Sequence, residues 1–358
     1  MKPAGAASRG CTAVAISASC AILDDGSVKC WGANSNGQLG LGDYENRGDD
    51  ANGDRLSRCG NVDLGPNRTA VAVSAGGSHT CAVLDGGSLK CWGANSYGQL
   101  GLGDEKHRWD ANVRGAEMGA NLPAVDLGPG RTAVAVSAGV YHTCSILASA
   151  PAKSIDDGSV KCWGYNTGNT LGQGDTRKRG DDADEMGAYL PAVDLGPNRT
   201  AVALDVGDYH TCTILDDRSV KCWGVLNDHG QLGKGDVDFG PGRTAVALSA
   251  ADKHSCAILD DKSIKCWGYN DAGNLGLGDD WDRGIFTKEM GANLPTVDLG
   301  PAECACPEGT ILASGVDVLA CTCKAGYNGT ADGAACTPCT AGTYKVANGT
   351  GQCSACPA

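Results

Sequence analysis

Residues 81–103 read CAVLDGGSLKCWGANSYGQLGLG, and close copies begin at Cys20, Cys144, Cys212 and Cys256. Everything up to about residue 301 is therefore one unit written five times. In the first copy, Cys20-Ala21-Ile22-Leu23 is apolar and β-capable. Asp24-Asp25-Gly26 is turn chemistry, with the glycine free to take a positive φ. Ser27-Val28-Lys29-Cys30-Trp31 resumes a strand. The pattern is a β-hairpin with a three-residue loop. Centring the pairing on Asp25 sets Leu23 opposite Ser27, Ile22 opposite Val28, and Cys20 opposite Cys30. Directly opposed residues hold their Cβ atoms about 4.5–5.5 Å apart, and a modest tightening reaches the about 3.5–4.5 Å of a disulfide.

Nine residues also separate Cys81 from Cys91, Cys212 from Cys222, and Cys256 from Cys266. Cys144 and Cys162 lie eight residues further apart. The extra segment, Ala148 to Ile155, falls at the hairpin tip, where an insertion leaves the register below it intact. All five pairs are expected to be bridged.

A chain of 358 residues would ordinarily suggest two or three domains, but stacked repeats share one continuous core. With 54 glycines, two phenylalanines and no useful helical periodicity, the composition reads as many short strands joined by tight turns. The net charge of −13, without any basic run, excludes nucleic acid as a partner and disfavours anionic membranes. Twenty cysteines in paired spacing point to an oxidising compartment, extracellular or at the cell surface; a cytoplasmic setting is the alternative. The opening MKPAGAASRGC holds no apolar signal segment and no membrane-spanning run occurs, so the sequence reads as a fragment of a longer product. The pairing of Cys11 and Cys59 stays open.

Each copy offers four strands. In the second these are Thr69–Ser74, His79–Leu84, Ser88–Trp92 and Ala124–Leu127. The first copy starts at Thr12 with its fourth strand near Val62; the others start near Thr132, Thr200 and Thr244, the last ending in Thr296–Leu299. TAVAVS and CAVL alternate little, so both faces of each sheet need cover, and radial packing supplies it. The expected fold is all-β: a propeller of five four-stranded blades near 12–65, 66–128, 129–196, 197–240 and 241–300. A propeller domain over 1–301 would precede a small disulfide-rich module over 302–358. Turns such as Gly65-Pro66-Asn67-Arg68 and Gly128-Pro129-Gly130-Arg131 exchange Asn and Gly, the two residues that best tolerate a left-handed backbone. The acidic loops after the third strands, such as Gly42 to Leu56 and Gly103 to Asn121, vary in length as binding loops do.

At Gly76-Gly77-Ser78-His79, Leu84-Asp85-Gly86, Cys91-Trp92-Gly93 and Gly98-Gln99-Leu100-Gly101, the chain resembles the regulator of chromosome condensation repeat family. The resemblance covers roughly residues 10–300 and recurs with each copy. It implies a propeller, usually of seven blades; five copies either close on themselves or form an open arc. The founding member is a nuclear guanine-nucleotide exchange factor that binds chromatin partly through a basic tail, whereas residues 1–11 here hold only Lys2 and Arg9. The cysteine pairs look like those of secreted or surface relatives. The end of the chain, with Cys304, Cys306, Cys321, Cys323, Cys336, Cys339, Cys353 and Cys356, resembles Cys-rich ephrin-receptor-like or EGF-like modules. Too short for an adequate apolar core, it needs bridges, and eight cysteines allow 105 connectivities.

Candidate chemistry divides by residue. His79, His142, His210 and His254 stand two residues before a cysteine and could join a Cys pair as zinc ligands. Ala18 takes that place in the first copy although Cys20 and Cys30 remain, which favours a disulfide with a hydrogen-bonded structural histidine. Lys29, Lys90, Lys161, Lys221 and Lys265 could form a cationic ring; snorkelling toward the hairpin aspartates is the simpler role. Trp31, Trp92, Trp163, Trp223 and Trp267 read as wedges between blades rather than a ligand stack, while Trp109 and Trp281, in acidic loops, are candidate partner contacts. Arg47-Gly48-Asp49 and Arg179-Gly180-Asp181 spell an adhesion tripeptide that a Gly- and Asp-rich repeat produces readily. Asn67, Asn198, Asn328 and Asn348 head glycosylation sequons. Asp280/Asp282 and Asp49/Asp50/Asp54 lack the spaced ligand pattern of a calcium loop. No catalytic constellation or cofactor motif is present. The expected function is a non-enzymatic module binding a protein or glycan. The alternative is an exchange factor for a small GTPase, with Ala148–Ile155 as its wedge.

Overall fold

The computed structural model describes residues 12–48, 60–108, 117–150, 157–225, 227–233 and 236–299, together with the backbone of short strands beyond residue 309. The chain divides into two compact units, Met1–Val297 and Asp298–Ala358. No helix among the described residues is long and apolar enough to cross a membrane.

The first unit holds five antiparallel sheets in chain order. Blade 1 consists of β1 (Ala13–Ser17), β2 (Cys20–Leu23) and β3 (Val28–Cys30); blade 2 of β4 (Ala70–Ala75), β5 (His79–Leu84) and β6 (Leu89–Gly93). Blade 3 consists of β7 (Arg131–Ala138), β8 (His142–Ser149) and β9 (Val160–Gly164). Blade 4 adds a fourth strand: β10 (Ala201–Val206), β11 (His210–Leu215), β12 (Val220–Gly224) and β13 (Asp236–Val237). Blade 5 is β14 (Ala245–Ala250), β15 (His254–Leu259) and β16 (Ile264–Gly268). The hairpin register is the one the sequence dictates, with Cys20 opposite Cys30 and Ile22 opposite Val28. The same register holds at Cys81/Cys91, Cys144/Cys162, Cys212/Cys222 and Cys256/Cys266. All five pairs are disulfides. In blade 3, Ala148 and Ser149 extend β8 against Thr132 and Arg131, so the insertion starts on the ladder itself. Residues 151–156 lie outside the described residues.

The fourth strands differ from expectation. Outside blade 4 the segment makes a single backbone bond to the third strand, for example from Val125 N to Leu89 O at 2.8 Å and from Val297 N to Ile264 O at 2.8 Å. Higher up, the same third strand meets a separate bridge, such as Gly93 with Arg108. In blades 2, 3 and 5 the segment follows Pro123, Pro191 or Pro295, and proline cannot donate to a ladder. Blade 4 has a much shorter loop and pairs Val220 with Val237.

Four cores fill the four junctions. Each joins the disulfide face of one blade to the tryptophan face of the next. Cys20, Ile22, Val28 and Cys30 pack with Leu84 and Trp92; Cys81, Val83, Leu89 and Cys91 pack with Leu147 and Trp163. The same set recurs at Cys144/Trp223 and Cys212/Trp267. These four tryptophans are thus wedges, and the Trp92, Trp163 and Trp267 indole N–H groups donate to the preceding blade's Gln38, Gln99 and Gln231 carbonyls at 3.0 Å. Trp223, which follows the copy where Thr170 replaces that glutamine, has a buried indole nitrogen with no partner.

Side-chain bonds repeat at every junction as well. On the innermost strands, Ser17, Ser74, Ser137 and Asp205 each accept a backbone N–H from the next blade. The His79, His142 and His210 imidazoles bond Thr143, Thr211 and Ser255 of the next blade at 2.7–3.0 Å. Among the described residues, substantial contacts join only consecutive sheets, so the blades form an open series. The end faces confirm it: Ile258 of blade 5 is 41 % exposed, whereas its counterparts Ile146 and Ile214 are fully buried.

The Gly-x-Leu-Gly turn after the third strand plugs the four junctions with Leu39, Leu100 and Leu171, all buried, and with the partly buried Leu232. Gly101 has φ of +67°, and a Cβ there would sit 2.7 Å from Trp163 Nε1. Gly101→Ala therefore combines left-handed strain with overpacking and should cost about 2–4 kcal/mol in urea unfolding. A cost below about 0.5 kcal/mol would contradict this packing.

In the second unit, three short antiparallel pairs are described. They are β17 (Thr310–Leu312) with β18 (Cys321–Cys323), β19 (Tyr327–Gly329) with β20 (Cys336–Pro338), and β21 (Thr343–Tyr344) with β22 (Ser354–Ala355). The side chains of Cys304, Cys306, Cys321, Cys323, Cys336, Cys339, Cys353 and Cys356 lie outside the description, as do Cys11 and Cys59.

Candidate partner-binding face

Every blade has two ends. One carries the hairpin turn. At the other, the ladder finishes where histidine pairs with the glycine of Trp-Gly, as His142 does with Gly164. The residue before the histidine and the residue after Trp-Gly are then neighbours: Tyr165 N donates to Tyr141 O, and Tyr269 N to Lys253 O, both at 2.9 Å. Whatever the repeats place at these two positions faces the same way on successive blades.

Blades 2–4 place tyrosines there and nearby. The Tyr97 ring centroid lies 5.3 Å from Tyr141 and 4.9 Å from Tyr165. Tyr141 is 5.9 Å from Tyr165 and 6.3 Å from Tyr209. Edge-on and tilted contacts of this kind each contribute about 0.5–1.5 kcal/mol beyond area burial. The four rings, half-buried, tile three blades. A cleft of about 440 Å³ beside them is lined by Ser78, Tyr97, Gln99, His107, Val140 and Tyr141. In blade 5 the band ends at Tyr269, whose ring lies 4.7 Å from His229 and beneath the Lys253 ammonium at 5.5 Å.

Carboxylates adjoin the rings. Burial, followed by the neighbouring Asp252 charge and hydrogen bond, pushes Asp208 above the usual carboxylate range. Burial, then Tyr141 and Asp208, likewise raises the Tyr209 phenol. Asp205, near the end of β10, is raised by burial although it accepts bonds from Ala250 N and Ser137 Oγ.

Models of the regulator of chromosome condensation (RCC1) repeat match residues 17–38, 70–99, 201–231 and 245–274, and, in a second form, 87–146. A model of the tyrosine-protein kinase ephrin type A/B receptor-like module matches 326–358. The chain is an RCC1-repeat propeller with a Cys-rich module. Among curated proteins it is 28% identical over 217 residues to the ultraviolet-B receptor UVR8 of Arabidopsis thaliana, covering 60% of this chain and 41% of that one. It is 28% identical over 257 residues to the secretion-regulating guanine nucleotide exchange factor of Bos taurus, covering 59% and 51%. The chain thus spans about half or less of these relatives. Yeast RCC1 (Prp20), solved bound to Kap60, superposes with a TM-score of 0.53 at 19% identity over 79% of this chain and 59% of that one. Human WBSCR16 gives 0.53 at 20% identity over 74% and 62%.

The RCC1 repeats put several residues singled out in the sequence to structural use. The His79, His142 and His210 rings are sealed in the junctions while His254 is half-buried on blade 5, and all the adjoining cysteine sulfurs are bound to each other rather than available to a metal. Lys90, Lys161, Lys221 and Lys265 bond backbone carbonyls rather than the hairpin aspartates. Lys90, Lys161 and Lys265 each donate to two carbonyls: Leu64 and Gly119, Leu127 and Gly187, Phe239 and Gly291. Lys221 donates to Asp194 O. The hairpin aspartates are met instead by the turn arginines, as in Arg68–Asp85 at 2.8 Å and Arg243–Asp261 at 2.9 Å.

Of the loop tryptophans, Trp281 is 72 % exposed beside Tyr269, while Trp109 lies outside the described residues. Arg47 and Arg179 are held by Asp43 and Asp175 within their own loops, and Asp181 pairs with Lys178; Asp49, Asp50 and Asp54 lie outside the described residues. Asp282 is used by His229 and by Asn270 N. Asn67 and Asn198 are exposed at the hairpin end with φ of 56° and 57°. Asn328 lies on β19 and Asn348 outside the description. Sequence reasoning missed the tyrosine band. The signal was there: Tyr141 and Tyr209 precede a histidine, and Tyr165 and Tyr269 follow Trp-Gly.

Proposed function

We propose that this chain is a non-enzymatic binding module that works outside the reducing interior of the cell and holds a protein or glycan partner on its tyrosine end. The observation that carries the reading is the unbroken band of Tyr97, Tyr165, Tyr141 and Tyr209 across three blades. Tyrosine gives large, rigid contact area with a polar tip, which suits recognition surfaces. The five disulfides support the extracellular or surface setting, since such bridges persist where the surroundings oxidise. Glycans on Asn67 and Asn198 would project from the opposite end and leave this face clear.

Binding of the oxidised chain to mixed peptide and glycan arrays tests the reading. Captured ligands should be lost on Tyr97→Ala and Tyr141→Ala and retained when the hairpin-end Asp216 is changed to Asn. Ligands indifferent to both tyrosine changes would move the site elsewhere. Accelerated nucleotide release from any member of a small-GTPase panel would favour an exchange factor instead.

A further inference from the structure

We infer that the tyrosine end takes an arginine-bearing segment of a protein partner, its guanidinium seated between the Tyr141/Tyr209 rings and the paired carboxylates of Asp208 and Asp252. This deepens the binding-module reading and rests on it.

The first ground is a contrast within the chain. Elsewhere several loop and turn aspartates have an internal guanidinium: Asp104 has Arg108, Asp175 has Arg179, Asp279 has Arg283, and Asp85 has Arg68. Asp208 and Asp252 occupy equivalent positions on blades 4 and 5, one residue before Tyr209 and Lys253. They are close enough to share a hydrogen bond. Among the described residues, no arginine or lysine forms an ion pair with either. Two like charges have been brought together beside aromatic faces with no cation supplied.

The second ground is a cation already seated on this end. Lys253 stands at the repeat position that Tyr141 and Tyr209 occupy on blades 3 and 4, and its ammonium lies over Tyr269 at 5.5 Å. Blade 5 thus satisfies its ring internally, whereas among the described residues the rings of blades 2–4 pack on one another. A π face attracts a cation, and arginine fits best here because its planar fork can stack on tyrosine while donating to two carboxylates. A chain charge of −13 would steer such a segment in.

The probe is a short fluorescein-labelled Arg-Gly-Ser repeat peptide, followed by anisotropy at physiological salt. Peptide binding should weaken about tenfold or more in the Asp208→Asn/Asp252→Asn double variant, and equally in Tyr141→Leu, the scale of one lost cation–π or charged contact. Tyr209→Phe keeps the ring and should bind within about twofold of the parent, which controls for folding. Asp184→Asn/Asp236→Asn removes the same charge from exposed positions away from the rings and should also stay within about twofold. A citrulline version of the peptide should not bind. The inference is overturned if the two aspartate pairs weaken binding alike, since net charge alone would then be at work, or if the arginine peptide does not bind. Array ligands that depend on the tyrosines, with no arginine-peptide binding, would sink this inference and leave the binding face standing. Array ligands that ignore the tyrosines would sink the face itself.

Discussion

Acidification from about pH 6 to pH 4.5 should remove roughly 6 kcal/mol of folding stability, most of it through three buried histidines. Burial holds His79 at about 4, His142 at about 3 and His210 at about 4, against an ordinary value near 6.5. The His79 proton is placed by its partner. Thr143 gives its hydroxyl hydrogen to Gln99 O, so its oxygen accepts from His79 Nε2. His79 Nδ1 is then bare, buried and without a partner, as are the Nδ1 atoms of His142 and His210. A proton there would have nothing to bond.

With folded values depressed, the unfolded chain binds protons below pH 6.5 that the folded chain refuses. Stability is therefore intact above that pH and falls as pH drops toward the folded values. Three protons amount to about 4 kcal/mol per pH unit. Asp205 works against this, because burial raises its folded value and the folded state takes up a proton first. Urea midpoints measured across the window check the slope, and His142→Gln should lower it by about a third. A flat profile would show that the rings are hydrated or already charged.

Removal of a junction disulfide is the second large effect. Cys81→Ser with Cys91→Ser should cost about 2–5 kcal/mol. The sulfurs are fully buried among Val83, Leu89, Leu147 and Trp163, so two hydroxyls would be left in an apolar setting as well. The five bridges should not respond to reductant alike. Four are covered by the next blade, but Cys256 lies half-exposed on the uncovered face of blade 5. Graded reduction followed by alkylation and peptide mass mapping should therefore label Cys256 and Cys266 first. Simultaneous labelling of all five would mean that opening is global rather than local.

How much of this could be read beforehand depended on how far apart the interacting residues lie. The hairpins were legible because strand, turn and return fall within a few residues, and the paired cysteines fix the register. The tryptophan wedges followed from the need to cover both faces of each sheet. The fourth strands were over-read: valine and leucine favour a strand, but outside blade 4 the segment makes one ladder bond, with a proline just before it in blades 2, 3 and 5. The lysines were misassigned because their acceptors, the Gly119, Gly187 and Gly291 carbonyls, belong to 3₁₀ turns formed only after the outer loop wraps back. The histidine partners lie 45–69 residues away in sequence. The tyrosine band escaped because it combines different repeat positions on different blades, which only the stacked sheets bring together.

The uncovered faces of blades 1 and 5 are the same two surfaces that every internal seam joins. Stacking is therefore indifferent to blade number. A unit duplicated or lost in the gene would leave each surviving seam with its wedge and its sulfur bridge in place. Lengthening or shortening of the protein can proceed in whole sheets without redesign of any core, while the loops at the tyrosine end diverge independently.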